Sequence, residues 1–361
     1  MLLVSPQYSK QVKRTGYIQI IVLCCALFVA CTKEDAIEEQ INVSTTTPYP
    51  LVVPASLPAM PIPADNPLTV EGVALGKKLF YDPILSGNNA KSCGGCHRPD
   101  YAFTDFLSLS IGVGGQFGTR NSMPIMNLAW QPQFFWDGGA ADLESQVVGP
   151  IQNPFEMHQW LPGLIIELTD HEEYPQLFKA AFGSDSITVP RLMKAIAQFE
   201  RTLISGNSRY DRYVQGQEPF TPQEILGMEL FSDMSKGDCN HCHTLGSTFS
   251  DFAYRNTGLD SIPVDEGRYL ITLNASDRGK FKTPSLRNIA QTAPYMHDGR
   301  FLTLMECVEH YNTGFHYAEN LDANLEFAQK GRMTQSEMEA IVAFLLTLTD
   351  DEFLTNPAHR P

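Results

Sequence analysis

Apolar residues recur at three- and four-residue spacing in Val73-Ala-Leu-Gly-Lys-Lys-Leu-Phe80 and again in Ile225-Leu-Gly-Met-Glu-Leu-Phe231, which predicts an amphipathic helix at each place. Two longer stretches carry the same period. Val189–Leu203 has proline in its first turn, where the missing N–H costs nothing, and Thr334–Leu348 opens with a Thr-x-x-Glu capping box. Elsewhere Pro, Gly and Asn break the pattern into loops, and no long alternating strand pattern occurs. The expectation is a mainly α protein.

The same order of features occurs twice. Leu75-Gly-Lys-Lys-Leu-Phe-Tyr-Asp82 precedes Cys93-Gly-Gly-Cys-His97, and Leu226-Gly-Met-Glu-Leu-Phe-Ser-Asp233 precedes Cys239-Asn-His-Cys-His243. At one constant offset of 161 positions, Asn127-Leu-Ala matches Asn288-Ile-Ala, Trp136-Asp-Gly matches His297-Asp-Gly, and Leu143 with Val147 matches Leu304 with Val308. Self-similarity of this kind predicts an internal duplication of one helical module. The expected domains are 62–215 and 216–361, with the last residues packing back on the first domain.

The first thirty residues differ from the rest. Lys10, Lys13 and Arg14 precede an uncharged, mostly apolar run from Gly16 to Ala30 that ends at Cys31, which predicts an export signal of the lipoprotein type over 1–30 with Cys31 as the lipid-bearing residue. Residues 31–61, rich in Thr, Pro, Val and acidic side chains, are expected to be a flexible tether. The protein is therefore expected to be exported and periplasmic, touching a membrane only through that anchor. Residues 1–30 hold three basic and no acidic residues, which leaves 23 basic against 41 acidic and a formal net charge of −18. Such a balance speaks against nucleic acid as a partner.

Of eight cysteines, Cys24, Cys25 and Cys31 belong to the signal, four sit in the two C-x-x-C-H motifs, and only Cys307 is left, so no disulfide framework is expected. C-x-x-C-H attaches c-type haem: two thiols form thioethers and the adjacent histidine ligates iron. A zinc site would need further ligands that neither motif has nearby. Two covalently bound haem c groups follow, one on Cys93, Cys96 and His97, the other on Cys239, Cys242 and His243. The second axial position distinguishes them. Gln133-Phe-Phe-Trp-Asp-Gly-Gly139 and Pro294-Tyr-Met-His-Asp-Gly-Arg300 are the same loop in the two repeats, and Met296 stands where the first has Phe135. Met296 is the candidate sixth ligand of an electron-transfer haem, whereas Phe135 cannot ligate and leaves the other iron open. An open iron beside a proton-moving carboxylate suits peroxide cleavage, and Glu144 and Glu156 both follow the Trp136 loop. His158, His171, His310, His316 and His359 are expected at the surface or core edge, His241 in solvent, and Cys307 at the repeat position of Gln146.

These residues resemble the bacterial di-haem cytochrome c peroxidases and their MauG relatives, from about Asn66 to Leu348. The resemblance also rests on Gly118-Thr-Arg-Asn121, Phe135-Trp-Asp-Gly138, Gly149-Pro150, Asn153-Pro-Phe-Glu-Met157 and Lys282-Thr-Pro-Ser-Leu-Arg-Asn288. It implies two cytochrome c-like haem domains and reduction of hydrogen peroxide with electrons from a small redox protein such as cytochrome c. The N-terminal haem would be peroxidatic and the C-terminal one the electron entry point. It further implies Met296 as distal ligand, Trp136 between the haems, Gln146 and Glu156 lining the peroxide pocket with Glu156 as acid–base group, a calcium ion to which Asn121 contributes, and a homodimer. MauG-type oxidases, the alternative within the family, carry tyrosine at the place of Met296; a non-catalytic electron carrier would need a strong ligand on the N-terminal iron. Many of the peroxidases cap the open iron with a histidine in a Gly-His-Gly loop. Here that place is Val113, within Ser110-Ile-Gly-Val-Gly-Gly-Gln116, which implies activity without reductive activation; Met123 lies near enough to be another ligand.

Overall fold

The computed structural model describes residues 46–326 and 330–361. The expected export signal, the expected lipidation site Cys31 and the first part of the expected tether lie outside the described residues. Four helices organise the rest: α1 (Val70–Tyr81), α2 (Val189–Arg201), α3 (Pro222–Ser232) and α4 (Gln335–Leu346). Each begins at a threonine whose side chain accepts an otherwise orphaned N–H: Thr69 from Gly72, Thr188 from Arg191, and Thr221 and Thr334 in capping boxes with Glu224 and Glu337. Because Thr69 caps α1, that helix starts three residues ahead of the apolar stretch at Val73.

Helix α1 packs on α2, and α3 on α4. Both crossings bring backbone to backbone. A Cβ on Gly76 would stand 1.9 Å from the Ala195 carbonyl oxygen, and one on Gly227 would stand 1.9 Å from that of Ala340, so only glycine permits the approach. Around the first crossing Leu79, Phe80, Leu192, Ala195 and Phe199 are buried; around the second, Phe231, Ile341 and Phe344 are. Each large side chain so buried contributes roughly 1.5–3 kcal/mol.

The loops are longer and more helical than their Pro and Gly content predicts. Leu161–Asp170 and Tyr174–Phe182 are helices with Pro162 and Pro175 in their first turns, where proline starts a helix and does not break it. Sheet is confined, among the described residues, to strand β1 (Tyr254–Arg255) paired antiparallel with β2 (Phe281–Lys282). Asn127 and Asn288 both adopt a left-handed conformation at φ 55°. Their N–H groups donate to the carbonyls of Leu203 (2.8 Å) and Leu348 (2.9 Å), which ties each loop to the end of its own long helix.

Residues 46–61, the described part of the expected tether, lie along this body. Tyr49 N–H donates to the Leu68 carbonyl at 3.0 Å, Ser56 Oγ to that of Gly206 at 2.6 Å, and Leu57 is buried. At the other end, Asp350 accepts from Ser205 Oγ, Gly206 N and Asn207 N, the Phe353 and His359 rings pack on Phe103, and Arg360 pairs with Asp100 at 2.6 Å. The chain beyond α4 thus returns to the first half.

Candidate functional site

Each Cys-x-x-Cys-His segment forms a tight turn that ends on its histidine. His97 N–H donates to the Cys93 carbonyl at 2.8 Å and His243 N–H to that of Cys239 at 2.9 Å. The rings are then fixed by a second bond: His97 Nδ1 to the Phe103 carbonyl at 2.8 Å, His243 Nδ1 to the Phe249 carbonyl at 3.2 Å. A carbonyl only accepts, so Nδ1 carries the proton and Nε2 keeps its lone pair for a metal. Burial lowers the His97 pKa and takes that of His243 down to about 4, so both rings are neutral. None of the four cysteines is engaged in a disulfide, so all four sulfurs remain available for thioether bonds.

His97, Cys93 and Cys96 line a cavity of about 480 Å³, and His243, Cys239 and Cys242 line a second of about 220 Å³. The donor set and the space fit a covalently attached haem in each. Phe135 lines the first cavity and Met296 the second, both in left-handed loops, at φ 64° and 73°. Each loop is held by matching bonds: Phe134 N–H to the Ala140 carbonyl (2.9 Å), and Tyr295 N–H to that of Phe301 (2.7 Å). The Phe135 ring lies so close to Gly149 that a Cβ there would meet its Cζ at 2.8 Å.

Trp136, Asn121, Ser122 and Pro124 line both cavities and form the wall between them. Trp136 Nε1 donates to the Asn121 carbonyl at 2.9 Å, and Asn121 N–H donates to the His297 carbonyl at 2.7 Å. The Asn121 side chain gives its amide to the Leu107 and Ser108 carbonyls. No group of three or more His, Cys, Asp or Glu side chains gathers there or elsewhere among the described residues, so a cation at Asn121 would rest on carbonyl oxygens.

The two candidate acids separate. Glu144 accepts both Nη atoms of Arg201, at 2.7 and 2.9 Å, and Asn66 Nδ2 at 2.6 Å. Burial alone would raise its pKa, but the Arg201 and Asn66 hydrogen bonds outweigh that and hold it below the usual carboxylate range. Glu144 does not line the cavity. Glu156 does, with Gln146; burial raises its pKa against a 2.7 Å hydrogen bond from Asn153. The Gln146 amide oxygen is buried without a partner. In the Ser110–Gln116 loop, Val113 N–H donates to the Glu156 carbonyl at 2.7 Å, and it is Ser110, Ile111 and Gly112 that reach the cavity wall, not Val113. Met123 also lines this cavity, with its backbone beside the His97 ring.

Sequence reasoning assigned nothing to Glu200 and Lys282, which also line the first cavity. Glu200 lies four residues after Ile196 on α2, so the signal was a carboxylate inside an apolar stripe. Lys282 is 1% exposed, with Nζ bonded to Gln131 Oε1 and the Gln133 carbonyl, and burial lowers its pKa to about 7. His241, His158 and His316 are exposed. His310 and His359, expected at the surface or core edge, are instead buried, because bonds to the Thr257 and Phe353 carbonyls satisfy their rings. Cys307 lines the second cavity, as Gln146 lines the first.

A family profile described as di-haem cytochrome c peroxidase matches residues 70–219. The chain is 35% identical over 291 residues to the methylamine utilization protein MauG of Methylophilus methylotrophus, covering 80% of this chain and 86% of that protein. It is 36% identical over 309 residues to the cytochrome c551 peroxidase of Nitrosomonas europaea, covering 83% and 86%. Among solved structures it is similar to a MauG-like protein associated with microbial copper homeostasis, with a TM-score of 0.80 and 32% identity over 86% of this chain and 98% of that one. It is also similar to the diheme peroxidase BthA of Burkholderia thailandensis, with a TM-score of 0.70 and 25% identity over 87% and 98%.

Proposed function

Since the chain belongs to the bacterial di-haem cytochrome c peroxidase and MauG family, we propose that it reduces hydrogen peroxide to water with electrons from a small redox protein such as a cytochrome c. The observation that carries this reading is the unequal lining of two otherwise matched cavities. Met296 lines the His243 cavity, whereas Phe135 takes its place in the His97 cavity, which alone holds Gln146 and Glu156. The matched crossings, capped helices and left-handed asparagines likewise support two haem domains derived by duplication, divided near residue 215.

Cys93, Cys96 and His97 would hold one haem c, which would supply the chemistry of peroxide reduction, and Cys239, Cys242, His243 and Met296 would hold the other, which would supply electron transfer. The chain's own residues do the rest. The Phe103 and Phe249 carbonyls hold the two imidazoles in the ligating tautomer. Phe135 puts a ring that cannot ligate where the second cavity has the Met296 thioether. Cleaving the O–O bond requires a proton to pass from the near to the far oxygen, and Glu156, raised by burial and steadied by Asn153, accepts and returns it. Gln146 offers a buried amide to orient peroxide. Trp136, pinned by its Nε1 bond in the shared wall, relays electrons. A calcium ion beside Asn121 belongs to the same proposal, supported by the carbonyls of Leu107 and Ser108 there. The acidic chain favours encounter with a donor bearing a basic patch.

No helix among the described residues is long and apolar enough to cross a membrane. Export and anchoring through Cys31 remain proposals that rest on the pattern of residues 1–31. The functional reading is tested by mixing the protein with peroxide and reduced cytochrome c. Steady cytochrome oxidation is expected, and its absence overturns the reading. A MauG-like oxidation of a protein or organic substrate has a relative at 35% identity behind it, against 36% for the peroxidase; it would give a long-lived oxidised protein that leaves the cytochrome reduced.

A further inference from the structure

Glu200 is a buried acid without a place in that scheme. It is 4% exposed, and its Oε2 has no hydrogen-bond partner in the protein. Arg201, next in the chain, is bonded to Glu144 instead. Glu200 lines the His97 cavity together with Gln146 and Glu156. Burial pushes its pKa up to about 8, with Arg201 opposing and Glu144 adding to the effect, so it carries a proton at neutral pH.

The second half shows what a residue with only a packing role looks like at this place. A Cβ on Gly76 meets Ala195 and Phe199, just as one on Gly227 meets Ala340 and Phe344. In that register Ile196 corresponds to Ile341, and both line their cavities. Glu200 corresponds to Leu345, which lines the cavity that also holds Met296. The acid therefore occurs only in the half that has Phe135 at the open position.

We propose that Glu200 is a proton donor to the peroxide reaction in the His97 cavity, an inference that rests on the function proposed above. Hydrogen peroxide, two electrons and two protons give two waters. When the O–O bond breaks, Glu156 only moves a proton that peroxide already carries, so the first water leaves with no net uptake. The donor protein's two electrons then reduce the remaining oxygen, and two protons must enter to form the O–H bonds of the second water. Glu200 supplies one of them from its neutral carboxyl, becomes a carboxylate, and is reprotonated from solvent before the next turnover.

The test is stopped-flow spectroscopy of the haem-loaded protein carrying Glu200→Gln, which keeps shape and neutrality but holds no transferable acid proton. The first spectral phase on adding peroxide should keep its rate. The return to the resting spectrum with reduced cytochrome should slow on the order of 10²-fold, with Glu200→Asp recovering part of the loss. Infrared spectra at pH 7 should show a protonated carboxylic acid band in the wild type that is missing from Glu200→Gln. A return phase within twofold of wild type at full haem content overturns the proposal and leaves the peroxidase reading standing. If the wild type oxidises no cytochrome, both fall. Should Glu200→Gln fail to take up haem, Glu200→Asp decides: its return phase should show a displaced pH profile, and an unchanged profile overturns the proposal.

Discussion

Glu144→Ala and Glu156→Gln should produce opposite phenotypes, although both residues are glutamates following the Trp136 loop. Glutamine at 156 can still accept the 2.7 Å bond from Asn153, so the geometry survives and only proton transfer is lost. General acid–base catalysis is worth about 10²–10⁴-fold. Because Gln146 remains to orient peroxide, the loss should lie near the lower end, about 10²-fold or about 2.7 kcal/mol of barrier at about 1.36 kcal/mol per decade. Thermal stability should be unchanged. Glu144→Ala strands a guanidinium whose side chain is only 4% exposed and which had held both carboxylate oxygens. Breaking a buried pair in this way costs about 3–5 kcal/mol, so the melting temperature should fall while turnover per bound haem persists. The assays are peroxide-dependent oxidation of reduced cytochrome, normalised to haem, and thermal denaturation. A Glu156→Gln enzyme within threefold of wild type, or a Glu144→Ala enzyme that loses turnover per haem without losing stability, would refute the reasoning.

Phe135→Met should place a thioether where the other half has Met296, shift the N-terminal haem toward low spin and suppress peroxide turnover; unchanged turnover would count against Phe135 as the reason that site is open. Because Val113 cannot ligate iron and its side chain lies outside the cavity wall, the oxidised protein should react with peroxide without a lag and show one high-spin and one low-spin haem by EPR, whereas two low-spin signals with a lag would contradict this. Gly76→Ala should destabilise the fold: its Cβ must retreat at least 1.1 Å to pass from 1.9 Å to the 3.0 Å floor of real contacts. That overpacking costs about 1–3 kcal/mol and is offset only in part by about 1 kcal/mol of helix propensity, so a raised melting temperature would refute the crossing geometry. Burial alone would raise the Asp211 pKa, but its Arg287 hydrogen bonds, at 2.8 and 3.0 Å, outweigh this and hold it below the usual range. The stability from this pair is complete above the ordinary carboxylate pKa, about 4, and is lost as pH falls through the lower folded value. Asp211→Asn should remove that acid-dependent part of the unfolding curve, and parallel acid profiles for the two proteins would exclude it.

The four long helices were legible because their information is local: a 3.6-residue apolar period lies within one stretch of chain, as does the capping box at Thr334. The unequal lining of the two cavities was legible too, since Phe135 and Met296 differ within a repeated loop. The residue pattern by itself left Glu144 and Glu156 open, and only the family resemblance pointed to Glu156; what ties Glu144 away from the cavity is Arg201, fifty-seven residues further on and brought to it only by folding. Glu200 escaped notice for a related reason. A carboxylate in a helical stripe is ordinary until α1 and α2 cross and show which face meets a cavity. Pro162 and Pro175 misled in the other direction, since the composition that breaks a helix also begins one.

The Phe103 carbonyl that orients His97 belongs to a residue whose ring is covered by Phe353 and His359. The imidazole that lines the first cavity is therefore steadied by side chains that never touch that cavity. A chain cut short before Phe353 would keep every residue of the cavity wall and still hold the His97 ring less firmly. The second cavity draws its wall from residues no later than Leu345 and would be spared by the same truncation. Truncation sensitivity is thereby unequal between two otherwise matched cavities.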